Sequence, residues 1–103
     1  MIYDRINYIF TKEEINRLSI EDTPGNMLKV TVDVHGMKCS QAKRLINNLI
    51  NVLRTSFVLR IIHGFNHGTA IRDMLSESFD NPHVAKKYLD PRNQGITFMQ
   101  IAA

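Results

Sequence analysis

Between Lys29 and Ile62 the apolar period of the chain changes twice, and this pattern constrains the fold more than any other feature. Lys29 to Val34 alternates Val30, Val32 and Val34 with Lys29, Thr31 and Asp33, the two-residue period of a β-branched strand. Ala42, Leu45, Ile46, Leu49 and Leu53 then recur at spacings of three and four, lining one face of a helix that ends before Ser56. Phe57 to Ile62 is a second apolar, strand-like run. A strand, a helix of about four turns and a strand make a βαβ unit, whose handedness rule predicts two parallel strands in one sheet.

The rest of the chain extends that unit. Gly64 and Gly68 interrupt it before Ile71, Met74, Leu75 and Phe79 resume helical spacing. Two shorter strand candidates follow, Val84 to Leu89 and Ile96 to Ile101, separated by the turn-forming Asp90-Pro91-Arg92-Asn93-Gln94-Gly95. Upstream, Thr11 and Glu14 fit a capping box with Phe10 and Ile15 at the staple positions, so a short helix is expected over roughly Lys12 to Leu18. Asp22, Pro24 and Gly25 within Glu21 to Asn26 favour a turn, dividing the chain into an extension over residues 1–26 and a main domain over 27–103.

At 103 residues there is room for one hydrophobic core, with 44% apolar and 22% charged residues in the range of globular domains. The single Cys39 makes no internal disulfide and no CxxC pair occurs. Asp4, Arg5 and Asn7 interrupt the first ten residues, which therefore lack the apolar region of a secretory signal; no run reaches membrane-spanning length, and the expected address is the cytoplasm, with no membrane partner. A net charge of +3 is compatible with a polyanionic partner without demanding one. Lys38, Lys43, Arg44 and Arg72 lie near the motifs below, whereas Lys86, Lys87 and Arg92 read as solvated surface.

In open α/β sheets, ligands bind beyond the carboxyl ends of the strands, which is where His35-Gly36 and His63-Gly64 fall. Asp33 and His35, two apart on a strand, are expected to project together. Histidine titrates near neutrality, so His35 and His63 suit the base and acid of phosphodiester cleavage, with Asp33 orienting His35. On RNA, the simplest route is attack by the ribose 2′-hydroxyl to leave a cyclic phosphate, with no cofactor required. The glycine loop leading into a helix presents backbone N–H groups suited to a phosphate, drawing on Gly36, Lys38, Gly64, Asn66, His67, Gly68, Thr69 and Arg72. The plainer alternatives are a tight strand-to-helix turn that binds nothing and histidines that only satisfy backbone groups. Two-metal hydrolysis is disfavoured because only Asp33 lies in the motifs, with Asp73 on the next helix; a single Mg2+ on Asp33 is the metal-dependent variant. Zinc is disfavoured too, since His35-x3-Cys39 and His63-x3-His67 straddle strand ends and loops.

Asp33-Val34-His35-Gly36-Met37 and His63-Gly64-Phe65-Asn66-His67-Gly68 resemble the two signatures of the small MutS-related, or Smr, domain: a strand ending in Asp-Leu-His-Gly and another ending in His-Gly-x-Gly-x-Gly. Val34 replaces Leu, and Asn66 replaces the middle Gly. The resemblance runs from Met27 to Ala103. It implies a two-layer α/β sandwich with a mixed four-stranded sheet in the order βαβαββ, similar to the C-terminal domain of bacterial translation initiation factor three. It also implies nicking or cleavage of DNA or RNA, in some members on messenger RNA at stalled ribosomes. No Gly-x4-Gly-Lys-Ser/Thr loop is present, so the likeness does not extend to a MutS-type ATPase. The competing readings are a non-catalytic nucleic-acid or ribosome-associated binding module, and a protein-interaction domain that docks through Ile6, Ile9, Phe10, Ile15 and Leu18.

Overall fold

The computed structural model describes residues 2–22, 25, 27–64 and 68–103, the side chains of residues 2–4 excepted. The elements run α1 (Ile2–Ile9), α2 (Lys12–Asn16), β1 (Leu18–Asp22), β2 (Leu28–Asp33), α3 (Cys39–Leu53), β3 (Phe57–Ile62), α4 (Ala70–Glu77), β4 (Val84–Asp90) and β5 (Asn93–Ile101). They form an α/β fold around one mixed sheet of order β1-β2-β3-β5-β4. The βαβ expectation holds: β2 and β3 are parallel neighbours, with Leu28 opposite Phe57 and Asp33 opposite Ile62. β5 lies antiparallel to β3 on its other side and carries β4 at the edge.

The sheet has five strands, which corrects the expected four. The additional strand is β1, from the segment read as an extension before the domain, and it pairs antiparallel with β2. The capping box predicted at Thr11 is present, with the Thr11 hydroxyl accepting from Glu14 N–H at 3.1 Å and Glu14 Oε1 accepting from Thr11 N–H at 2.9 Å. The helix it starts nevertheless ends at Asn16, so Leu18, expected on the helix, begins the strand. Five residues give a weak alternating signal on their own; the exposed edge of β2 supplies the backbone partners that decide their conformation. The last hairpin is also tighter than expected. Asp90 Oδ1 accepts from Arg92 N–H at 2.8 Å, which closes the turn at Pro91-Arg92 and lets β5 start at Asn93 rather than Ile96.

The core lies on one face of the sheet. Val30, Val32, Phe57, Leu59, Ile61, Met99 and Ile101 point toward Ala42, Leu45, Ile46, Leu49, Ile50 and Leu53 of α3 and Ile71 and Leu75 of α4. Ile6 and Phe10 are buried in the same cluster, and Ile15 and Leu18 pack against it, so of the five residues considered for partner docking only Ile9 is exposed. Phe79 falls just beyond α4 yet is buried, and Lys87 Nζ reaches back to donate to the carbonyls of Leu75 and Phe79, a cation placed where the helix dipole is negative. Leu49 is fully enclosed between α3 and the sheet, so Leu49→Ala is expected to lower the urea-unfolding free energy by roughly 2–5 kcal/mol. Asn48→Ala, on the exposed face of the same helix, is expected to shift it by less than about 0.5 kcal/mol.

Candidate functional site

Both motif histidines leave the sheet at one edge because β2 and β3 are parallel and in register. Val34 N–H still donates to Ile62 O at 2.9 Å, after which Met37 N–H donates to Val34 O at 3.1 Å and closes a turn over His35-Gly36. Gly36 sits at φ +78°, a conformation that L side chains rarely adopt, and Gly64 occupies the matching place after His63 at φ +72°. A Cβ added to Gly64 would lie 3.7 Å from the His35 Cβ, so the two His-Gly corners abut.

Asp33 and His35 do meet, though through this turn rather than through continued strand geometry. One carboxylate oxygen, Asp33 Oδ1, accepts from the His35 backbone N–H at 3.1 Å and pairs with His35 Nδ1 at 2.5 Å. With Nδ1–H directed at the carboxylate, Nε2 is the nitrogen left for chemistry, and the His35 side chain is 67% exposed. Arg17 secures the corner from outside the motif. Its Nη1 donates to the carbonyls of Asp33 at 3.0 Å and His35 at 3.3 Å, while its own carbonyl accepts from Asp33 N–H at 2.9 Å.

His63 differs in kind. It is buried at 6% exposure, with Nδ1 bonded to Gly64 O at 2.9 Å and Nε2 to the Thr97 hydroxyl at 2.8 Å. The carbonyl can only accept, so Nδ1 carries the proton and Thr97 donates to Nε2. Burial pushes the His63 pKa below the ordinary value of 6.5; the Gly64 carbonyl pulls it back up and the Arg72 charge lowers it further. His63 is thus a neutral ring with both nitrogens engaged, and it holds the wall of the site.

The expected residues fall into four groups. His35, Gly36, His63, Gly64, Gly68 and Arg72 line one cleft of about 620 Å³, together with Met37, Ile62, Ala70 and Ile71. Asp33 opens instead onto a neighbouring groove of about 480 Å³, which it shares with Arg17, Thr31 and His35, so His35 stands between the two. Lys38 and Thr69 line neither: the Lys38 backbone N–H donates to Gln41 Oε1 at the start of α3 while its side chain is exposed, and the Thr69 hydroxyl donates to Asp73 Oδ2 at 2.9 Å. Asn66 and His67 lie outside the described residues. Arg72 brings positive charge to the cleft, tempered by Asp73 at 3.4 Å. Among the described residues, no three His, Cys, Asp or Glu side chains converge on a point where a metal could be held.

Three contributors were not foreseen from sequence. Arg17 lies before the expected domain boundary, Thr97 is a strand residue on β5, and the Gly95 carbonyl accepts from both His63 N–H at 2.9 Å and Gly64 N–H at 3.0 Å. None carries a local motif; their roles come from pairing across the sheet. No family model, curated protein or solved structure matches the chain.

The state of His63 sets the pH response. Its native pKa lies below that of the unfolded chain, so on acidification the unfolded state binds the proton first. Its contribution is fully present above about pH 6.5 and is lost as pH falls through the depressed native value. Urea midpoints measured from pH 8 to pH 5 are expected to fall on the acid side, and His63→Asn is expected to flatten that part of the profile.

Proposed function

We propose that the chain is a nucleic-acid-directed phosphodiesterase of the Smr type, with His35 as its proton-transferring residue. The observation that carries this reading is the Asp33–His35 pair. An exposed imidazole with one nitrogen fixed by a carboxylate and the other open, set between a groove and a cleft, is the arrangement general base catalysis needs. On RNA, His35 Nε2 takes the proton of the 2′-hydroxyl as that oxygen attacks phosphorus. The bond to the 5′-oxygen breaks, the leaving oxygen gains a proton from water, and a 2′,3′-cyclic phosphate remains. Arg72 and Gly68 face the phosphate from the cleft. A cytoplasmic setting is part of this reading, and ribosome-associated RNA as the partner follows from the same resemblance.

The residues differ in role. Asp33 orients His35, Arg17 positions the turn that joins them, and His63 shapes the cleft as a neutral partner of Thr97. With Asp33 Oδ1 engaged by His35, the histidine route is proposed without an ion, and a single Mg2+ held by Asp33 and the substrate phosphate is the metal-dependent variant. The occupied state of His63 favours a second reading, a module that grips nucleic acid without cutting it, since it removes one of the two histidines expected to exchange protons.

Incubation of the protein with labelled single-stranded RNA and with supercoiled plasmid, in EDTA and in magnesium, tests the proposal. Cleavage that survives EDTA and falls at least ~100-fold in His35→Ala is expected, in line with the typical worth of a general base. Cleavage seen only with magnesium overturns the histidine mechanism, and binding without cleavage supports the second reading. Arg17→Gln is expected to lower the cleavage rate less than His35→Ala while leaving its dependence on pH near neutrality in place, because Arg17 acts through the Asp33–His35 turn.

A further inference from the structure

The helices bury one face of the sheet, and the other face has a chemistry of its own. Register places Thr31, Arg60, Phe98 and Tyr88 in one row across β2, β3, β5 and β4, on the face opposite Val30, Leu59 and Met99. Tyr88 and Phe98 stack with ring centres 5.6 Å apart, and Tyr88 is 40% exposed. Lys86 places its ammonium 5.4 Å from the Tyr88 ring centre. Arg60, half-buried at the middle of the row, makes no salt bridge or side-chain hydrogen bond among the described residues. Its Cα lies one strand across and two residues back from Asp33, roughly 8 Å by strand geometry. The groove holding Asp33 and His35 is lined by Ser19 and Thr31 of this same face, so the row leads into the candidate site.

Resting on the reading that this chain acts on nucleic acid, we propose that the sheet face opposite α3 and α4 is a platform for single-stranded RNA. A base stacks on Tyr88, the sugar-phosphate backbone passes Arg60 and Lys86, and the strand is led toward His35. Two features single out this occupant. The exposed ring of Tyr88 accepts any base because every base has a π-face, and an unpaired arginine between aromatic rings and a reactive histidine complements phosphate charge. A duplex presents its bases already stacked and gains nothing from Tyr88, which makes the platform selective for single strands.

Binding of a fluorescent oligouridylate to the full chain, measured against salt, tests this. Tyr88→Ala is expected to raise Kd about 10-fold and Tyr88→Phe to leave it unchanged, within the range that base stacking supports. Arg60→Gln is expected to reduce the slope of log affinity against log salt by about 0.7, one phosphate's share on a single strand. A duplex of the same length should be insensitive to Tyr88→Ala. Unchanged affinity and slope in Tyr88→Ala and Arg60→Gln, with wild-type melting curves, overturns the platform, as does a shift from dimer to monomer on sedimentation of Tyr88→Ala, which assigns the face to self-association. If Tyr88→Ala fails to fold, Lys86→Gln with Arg60→Gln carries the test through the salt slope. Cleavage lost in His35→Ala but untouched by the face variants retains the enzyme and rejects the platform. Binding weakened by the face variants in a protein that never cuts retains the platform and rejects the enzyme.

Discussion

The structure depends on one apolar contact, the burial of α3 against the parallel pair β2 and β3. Val30, Val32, Phe57, Leu59 and Ile61 from the strands and Leu45, Ile46, Leu49 and Leu53 from the helix are all removed from water. Each such side chain contributes roughly 1.5–3 kcal/mol of transfer free energy, so the crossover is held firmly in one register. That register brings two sequence-distant His-Gly corners within contact of each other. A slip of one residue would turn the valines outward and separate the corners together.

The two corners have the same local sequence and opposite fates. His35 stands in a solvated turn beyond the last pairing of β2, tethered by Asp33 and open at Nε2. His63 emerges beside β5, where Gly95 takes its backbone N–H and Thr97 takes its ring. The difference is one of neighbours: β1 begins opposite Val32 and reaches His35 only through the Arg17 side chain, while β5 runs on past the end of β3, so Gly95 lies beside His63. The contrast between an exposed and a buried histidine follows from strand order.

Much of this was legible beforehand. The strand, helix, strand succession at 29–62 was readable because each period is long enough to be unambiguous, and the capping box at Thr11 because it depends on contacts three residues apart. Leu18–Asp22 was not readable as a strand: five residues beside a turn cluster carry too little pattern, and their conformation is set by the open edge of β2. For the same reason Arg17 could not be recognised as part of the site, since it reaches Asp33 and His35 only once β1 has docked.

The sequence by itself determined the parallel βαβ unit, the placement of His35 and His63 at one sheet edge, and the proximity of Asp33 to His35, because periodicity and short-range hydrogen bonds are written in neighbouring residues. Only the tertiary structure decided that the sheet has five strands, that His63 is buried and neutral, and that Arg60, Phe98 and Tyr88 share the face opposite the helical core. Those outcomes depend on which strands lie side by side, and strand order is fixed by long-range burial and backbone pairing.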